Sequence, residues 1–316
     1  MCPPMRKNDE RGIALLLVLL ILALLVPLIL GFDAEARREL REAAAFRDHV
    51  KAITLVRSGV QVSRAILRYD AQLDIQFNRA YDALTDVWAQ PISGYRLGDG
   101  VIAAQIEDER GKFNLNDLAQ PDSPARQGKV ARFKRLFQLL QLDPRLVEAL
   151  VDWVDGDDLA GPNGAETAYY LTQTPPYRAA NGPMQTLDEL HLIKGFTEQA
   201  VQKLTPYVSV YGLDGLININ TSDVIVLQAL DPRMTPSLAQ EVIQARPFKT
   251  PQDLDRVKSV EPIAKELRTL NVYTVRSDYY SARVTATITE VTNTARAVIR
   301  RTGGSGDSSL LYFRLE

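Results

Sequence analysis

A short charged stretch opens the chain, and the next eighteen residues, Ile13 to Leu30, carry no polar side chain. As a helix rising ~1.5 Å per residue, this run would extend roughly 27 Å, close to the ~30 Å hydrocarbon core of a bilayer, with Gly31 and Phe32 lengthening it. One membrane span over 13–32 is expected. Beyond it Leu40, Ala43, Phe46, Val50, Ile53, Val56, Val60 and Leu67 recur at helical spacings, with Arg37, Arg38, Arg41, Arg47, Lys51 and Arg64 between them. The pattern predicts an amphipathic continuation over 33–68. The whole helix, Ile13 to Arg68, would be about 84 Å long, with Pro27 and Gly59 as points of bending.

After Tyr69 the period changes. Val101 to Glu107 and Gly111 to Leu115 read as short strands around a Glu109-Arg110-Gly111 turn, preceded by turn-rich text at Ile92–Gly94 and Leu97–Gly100. From Leu118 to about Leu270 the spacing is helical, with segments near 130–140, 143–154, 187–193, 198–207, 222–230, 237–245, 251–256 and 262–270, joined by connectors rich in Pro and Gly. Val272–Val275, Tyr279–Val291 and Ala295–Arg301 return to β-rich text, where Thr285, Thr287 and Thr289 alternate with Val284, Ala286 and Ile288. A Gly/Ser-rich loop over 302–309 leads to a last strand at Leu310–Leu315. The expected class is α+β: a long helix packed on one antiparallel sheet, the sheet interrupted by a large all-α insertion. The expected divisions are 69–117 for the first part of the head, 118–271 for the insertion and 272–316 for the strands that complete the sheet.

Charge and composition then narrow the function. With 37 Lys+Arg against 39 Asp+Glu, the formal net charge of −2 provides no bulk basic field for nucleic acid or an anionic surface. Two histidines, His49 and His191, and one cysteine, Cys2, leave almost nothing for a Ser-His-Asp triad, a zinc cage or a disulfide framework. His191 reads as a partly buried core residue and His49 as solvent-facing. A non-enzymatic protein is expected. Basic residues before the apolar run, and the long remainder after it, place Met1–Arg11 in the cytoplasm and everything after Phe32 across the membrane.

No small-residue cleavage site follows the apolar run. The small residue instead precedes it, as Arg11-Gly12 before Ile13-Ala14-Leu15-Leu16-Leu17. This resembles the class III signal of type IV pilins and type II secretion pseudopilins, although a plain membrane anchor can begin in the same way. The resemblance implies a leader over 1–12, cleavage between Gly12 and Ile13 by a prepilin peptidase, and N-methylation of Ile13. Cys2 would leave with the leader. Pilins usually carry glutamate as the fifth mature residue, where it pairs with a neighbour's N-terminal ammonium; here that residue is Leu17, so an ordinary mid-fibre place is not expected.

The later motifs separate these readings. Asp108-Glu109-Arg110-Gly111-Lys112-Phe113-Asn114-Leu115-Asn116, Asp152-Trp153-Val154-Asp155-Gly156-Asp157-Asp158, Gly164-Ala165-Glu166, Tyr169-Tyr170, Pro176-Tyr177-Arg178, Asn181-Gly182-Pro183, Leu187-Asp188-Glu189-Leu190 and Ile217-Asn218-Ile219-Asn220-Thr221 follow one another. Their order closely resembles the K-type minor pseudopilin family of the type II secretion system, over nearly the whole chain. The resemblance implies a pilin-like fold and a place at the fibre tip with the I- and J-type minor pseudopilins. It further implies contact with the major pseudopilin and the inner-membrane assembly platform, and leaves contact with secreted proteins open. It also accounts for Leu17.

Asp152, Asp155, Asp157, Asp158 and Glu166 form the densest set of oxygen ligands. Counted from Asp155, carboxylates stand at places one, three, four and twelve and Asn163 at nine, echoing the twelve-residue calcium loop of EF-hands. Leu159 at the fifth place and Ala160 at the sixth, where a turn glycine belongs, depart from it, so the segment is not an EF-hand. Crowded carboxylates repel one another and a hard dication supplies compensating charge, although a solvated acidic loop with helix caps fits the same spacing; K-type relatives bind calcium in their helical domain. The resemblance implies a structural calcium held by these five residues. A rival reading comes from Leu190–Tyr207 and Asn218–Val260, which resemble helix-hairpin-helix units and would make the chain a membrane-anchored periplasmic DNA-binding protein. Against it, Thr197 replaces the second glycine of the first hairpin, and Arg233-Met234-Thr235-Pro236 lacks both glycines in the second.

Overall fold

The computed structural model describes residues 10–119, 123–212, 214–302 and 307–316. Cys2, most of the expected leader and the glycines of the 302–309 loop lie outside the described residues. Helix α1 runs over Glu10–Gln76, continuing past the expected end at Arg68 and passing through Pro27 without interruption. Its first part, including every large apolar side chain from Ile13 to Leu30, is exposed. Leu40, Phe46 and Val50, expected on the packed face, are exposed as well. Continuous burial starts with Asp48 and Ala52 and continues through Val56, Val60, Ser63 and Leu67.

That buried face lies on a five-stranded antiparallel sheet built from β1 (Ile92–Leu97), β2 (Gly100–Asp108), β7 (Tyr279–Ile288), β8 (Val291–Thr302) and β9 (Asp307–Leu315), in that spatial order. Strict alternation along β2 turns Ile102, Ala104 and Ile106 toward α1, beside Val284, Ala286, Ala295, Ala297 and Ile299 from β7 and β8. Small residues on this face let the helix approach closely. A Cβ on Gly59 would overlap the Val284 side chain, so Gly59 is a contact point and not a bend. The pairing of β2 with β7, from Gly100↔Ile288 to Asp108↔Tyr280, joins text on either side of the insertion in one sheet.

Two strand expectations are corrected. The hairpin partner of β2 is β1, in the text read as turns, while β3 (Phe113–Asn114) leaves the sheet and pairs in parallel with β4 (Val208–Ser209). Asp108 Oδ1 accepts the Arg110 N–H at 2.8 Å, closing a tight turn, and the buried Glu109 takes the Ser209 hydroxyl at 2.5 Å. The chain is thereby drawn away from the sheet, and Phe113 packs on Phe133 with ring centroids 5.2 Å apart. Likewise β6 (Tyr273–Thr274) pairs in parallel with β5 (Ile217–Asn218) and takes no place in the main sheet.

The insertion holds α2 (Pro124–Leu139), α3 (Leu146–Val154), α4 (Thr167–Tyr170), α5 (Glu198–Leu204), α6 (Val224–Leu230), α7 (Pro236–Gln244) and α8 (Glu261–Thr269), with short 3-10 helices at Leu187–Leu192 and Pro251–Arg256. Its core is separate from that under α1 and contains Phe133, Phe137, Leu150, Trp153, Tyr170, Leu190, Leu204, Leu227 and Leu267. The two cores meet at a polar seam. Asn218 Nδ2 donates to the Asp82 carbonyl at 3.1 Å and to Asp108 Oδ2 at 3.0 Å, and Thr221 Oγ1 donates to Asp108 Oδ2 at 2.6 Å. The long motifs around Asp108 and Asn218 are therefore this seam written in sequence.

Candidate functional site

The acidic segment begins where α3 ends. α3 buries Val147, Leu150, Trp153 and Val154 on the insertion core, and the Asp155 N–H closes its last turn on the Val151 carbonyl at 2.9 Å. Trp153 meets Tyr170 edge-on at 5.1 Å, and Tyr170 stacks on Tyr177 at 5.2 Å. One aromatic cluster thus pins both ends of the segment and forces the intervening carboxylates together. From the first hairpin, Lys194 Nζ donates to the Gly164 carbonyl at 2.8 Å and braces the return of the loop.

Asp155, Asp157 and Glu166 each place a carboxylate oxygen within 4.8 Å of the others. Glu166 is 4% exposed, and neither of its oxygens meets a hydrogen-bond donor among the described residues. Burial first, and then the negative charges of Asp152, Asp155, Asp158 and Asp157, push its carboxyl up to about 7. Asp155 Oδ2 accepts from Arg126 Nη2 at 2.7 Å, while its Oδ1 is buried without a partner among the described residues. Asp157 Oδ1 accepts the Leu159 N–H at 2.8 Å. Buried carboxylate oxygens without donors are costly unless a proton or a cation takes them. The donor set is all oxygen, which suits a hard divalent cation.

The other two expected ligands stand outside this trio. Asp152 Oδ2 accepts the Gly161 N–H at 3.0 Å, and Gly164 lies so close that a Cβ there would overlap the Asp152 carboxylate. Asp158 Oδ1 accepts from Asn181 Nδ2 at 2.9 Å. Asn163, at the ninth place, turns to Glu148, donating Nδ2 to Oε2 at 2.7 Å. Linear spacing had no means of assigning these partners.

A second carboxylate group escaped the sequence reading. Asp70, Asp82 and Asp86, all buried, also place oxygens within 4.8 Å of one another, an arrangement that could hold a divalent ion. Two guanidiniums already enter it: Arg301 Nη1 meets Asp70 at 3.0 Å and Arg79 Nη1 meets Asp86 at 3.0 Å, with Arg301 Nη2 on Asp82. These residues are scattered over α1, the 77–86 loop and β8, so no local motif announces them.

The hairpins are packing units. Thr197 Oγ1 accepts the Ala200 N–H at 3.2 Å and Thr235 Oγ1 the Leu238 N–H at 3.3 Å, so threonine side chains occupy donors that a phosphate would need. Arg233, the basic residue of the second hairpin, is paired with Asp231 at 2.8 Å and Glu266 at 2.5 Å. His191 is exposed, its Nδ1 3.5 Å from Glu198, and not the core residue expected. His49 is exposed, as expected, and its Nδ1 lies 3.2 Å from Asn293.

At the other end, the Ile13–Leu30 part of α1, with Leu17, is long and apolar enough to cross a membrane once, and none of it is buried by the head.

Known proteins share these features. Two family models described as "Type II secretion system (T2SS), protein K" match residues 111–213 and 217–272. Type II secretion system protein K of Pseudomonas aeruginosa is 32% identical over 252 residues, covering 76% of this chain and 73% of that protein. The protein of the same name in Klebsiella pneumoniae is 35% identical, covering 76% of each. A chain of the crystal structure of the GspK-GspI-GspJ complex from the enterotoxigenic Escherichia coli type 2 secretion system superposes with a TM-score of 0.75 at 25% identity, over 87% of this chain and 99% of that one. The pilin-like helix-on-sheet architecture, the helical insertion and these similarities agree, and the chain belongs to the type II secretion system protein K family.

Proposed function

We propose that this chain is the minor pseudopilin at the tip of a type II secretion pseudopilus, assembling with I- and J-type pseudopilins to initiate and cap the fibre that drives protein export. The observation that carries this reading is α1, whose first part is bare and apolar while its second part packs on the head. A helix covered at one end and naked at the other needs either lipid or neighbouring helices. Leu17 offers no charge for a neighbour's ammonium, which suits a subunit with none above it, and the bulky insertion blocks addition at that end. As a member of an assembly family, the protein is not an enzyme. Maturation removes residues 1–12 by cleavage between Gly12 and Ile13 and methylates Ile13, with the N-terminus cytoplasmic beforehand and the head periplasmic. Mass spectrometry of the mature N-terminus, in cells with and without the prepilin peptidase, tests this directly: methyl-Ile13 is expected only with the enzyme, and the same uncut mass in both would sink the reading.

The acidic loop is proposed to hold structural calcium through Asp155, Asp157 and Glu166, with Asp152 and Asp158 completing its negative environment. The donorless oxygens of Glu166 support this. The ion would offset the crowded charge and brace an insertion that has no disulfide.

A further inference from the structure

The acidic loop is met by a cation from outside its own segment. Arg126 lies 29 residues before Asp155, in the first turn of α2, where its own N–H is held by Ser123 Oγ at 3.2 Å. That cap fixes the backbone from which the guanidinium extends. Both partners of the resulting ion pair are largely buried, with side chains 12% and 13% exposed. Asp155 is just as firmly placed, because its backbone N–H closes α3. The pair therefore joins two helix ends through one carboxylate.

The two oxygens of that carboxylate are used differently. Arg126 Nη2 holds Oδ2 at 2.7 Å, and Oδ1 is buried with no donor among the described residues. We propose that Arg126 is a positioning residue of the cation site: it reserves Oδ2 for itself and leaves Oδ1 as the oxygen that Asp155 offers to a divalent cation, coupling occupancy of the loop to the start of α2. This rests on the calcium reading above. Charge balance favours the arrangement. Asp155, Asp157 and Glu166, with Asp152 and Asp158 beside them, bring more negative charge than a divalent cation offsets by itself, and Arg126 supplies a further positive charge at Asp155. Without the guanidinium, Oδ2 would be a second donorless oxygen, repelled by Asp157 and free to rotate. Partners of this kind, behind the ligands, commonly contribute roughly 10–100-fold to metal affinity. A merely competing positive charge would act with the opposite sign.

Calcium titration of the full-length chain in detergent, followed by calorimetry, separates the two. Arg126→Met is expected to weaken binding by about tenfold or more, with Arg126→Lys recovering part of the loss. Asp155→Ala should abolish the effect, so that adding Arg126→Met to it changes nothing further, as expected of a residue acting through Asp155. Binding by Arg126→Met as tight as wild type or tighter, or an equal loss in the Asp155→Ala background, overturns the inference while leaving the calcium reading intact. No calcium binding by the wild-type chain overturns both.

Discussion

Arg301 on β8 holds Asp70 on α1 at 3.0 Å across 231 residues of sequence, both side chains nearly inaccessible to water. The same guanidinium donates to the Ser277 carbonyl at 3.0 Å and lies 5.1 Å from the Tyr280 ring centroid. One side chain thus ties the last turns of the stalk helix to the sheet and to the polar seam of the insertion. Breaking a buried pair by removing one partner leaves an unpaired buried charge and costs about 3–5 kcal/mol. Arg301→Met is expected to lower head stability by that order, read as the denaturant midpoint of the full chain. A loss no larger than that of an exposed-arginine control such as Arg57→Met would show that the pair carries little of the joint.

Stability should also depend on pH in an unusual direction. Burial first, then Asp74 and Asp86, raise the Asp70 carboxyl from 3.8 to about 7 against the opposing pull of Arg301. A folded-state value above the unfolded one means that the native state holds the proton more tightly. Its stabilising contribution is complete below about pH 4 and disappears as pH rises through about 7, at about 1.4 kcal/mol per unit for each proton retained. Asp74, raised to about 6, works in the same direction. The head is therefore expected to melt higher at pH 5.5 than at pH 8, and Asp70→Asn should flatten that slope. Parallel slopes for wild type and variant would rule out Asp70 as the source.

Glu166 would link protons to the proposed cation. Its carboxyl, pushed up to about 7, keeps a proton near neutrality when no cation compensates its neighbours. Calcium must displace that proton, so the gain in Tm on adding calcium should be larger at pH 8 than at pH 5.5, with proton release on binding. Asp157→Ala with Glu166→Ala should abolish the gain. A melting curve indifferent to chelator at pH 8 would remove the metal from this loop.

Much of the architecture was legible along the chain. Alternation of apolar residues with threonine over Val284–Thr289 announced a strand with one buried face, and connectors rich in Pro and Gly marked the insertion before it. The errors lie where a segment's partner decides its place. Phe113–Asn114 is as strand-like as any hairpin arm, yet Asp108 closes a turn that sends it to Val208–Ser209. Gly59 reads as a weak point in an isolated helix, and only the Val284 side chain opposite explains why no larger residue fits.

The sequence by itself determined the long apolar helix, the α+β class, the family and the acidic loop, because apolar runs, periodicity and motif order are local properties that survive without a fold. Only the tertiary structure decided which carboxylates share a site. Asp155, Asp157 and Glu166 converge because Trp153, Tyr170 and Tyr177 close the loop, and Arg126 reaches them from another helix. The Asp70–Arg301 joint depends in the same way on side chains from distant elements. Desolvation and charge pairing act through space, so the groups that set the energy of a site need not be neighbours in the chain.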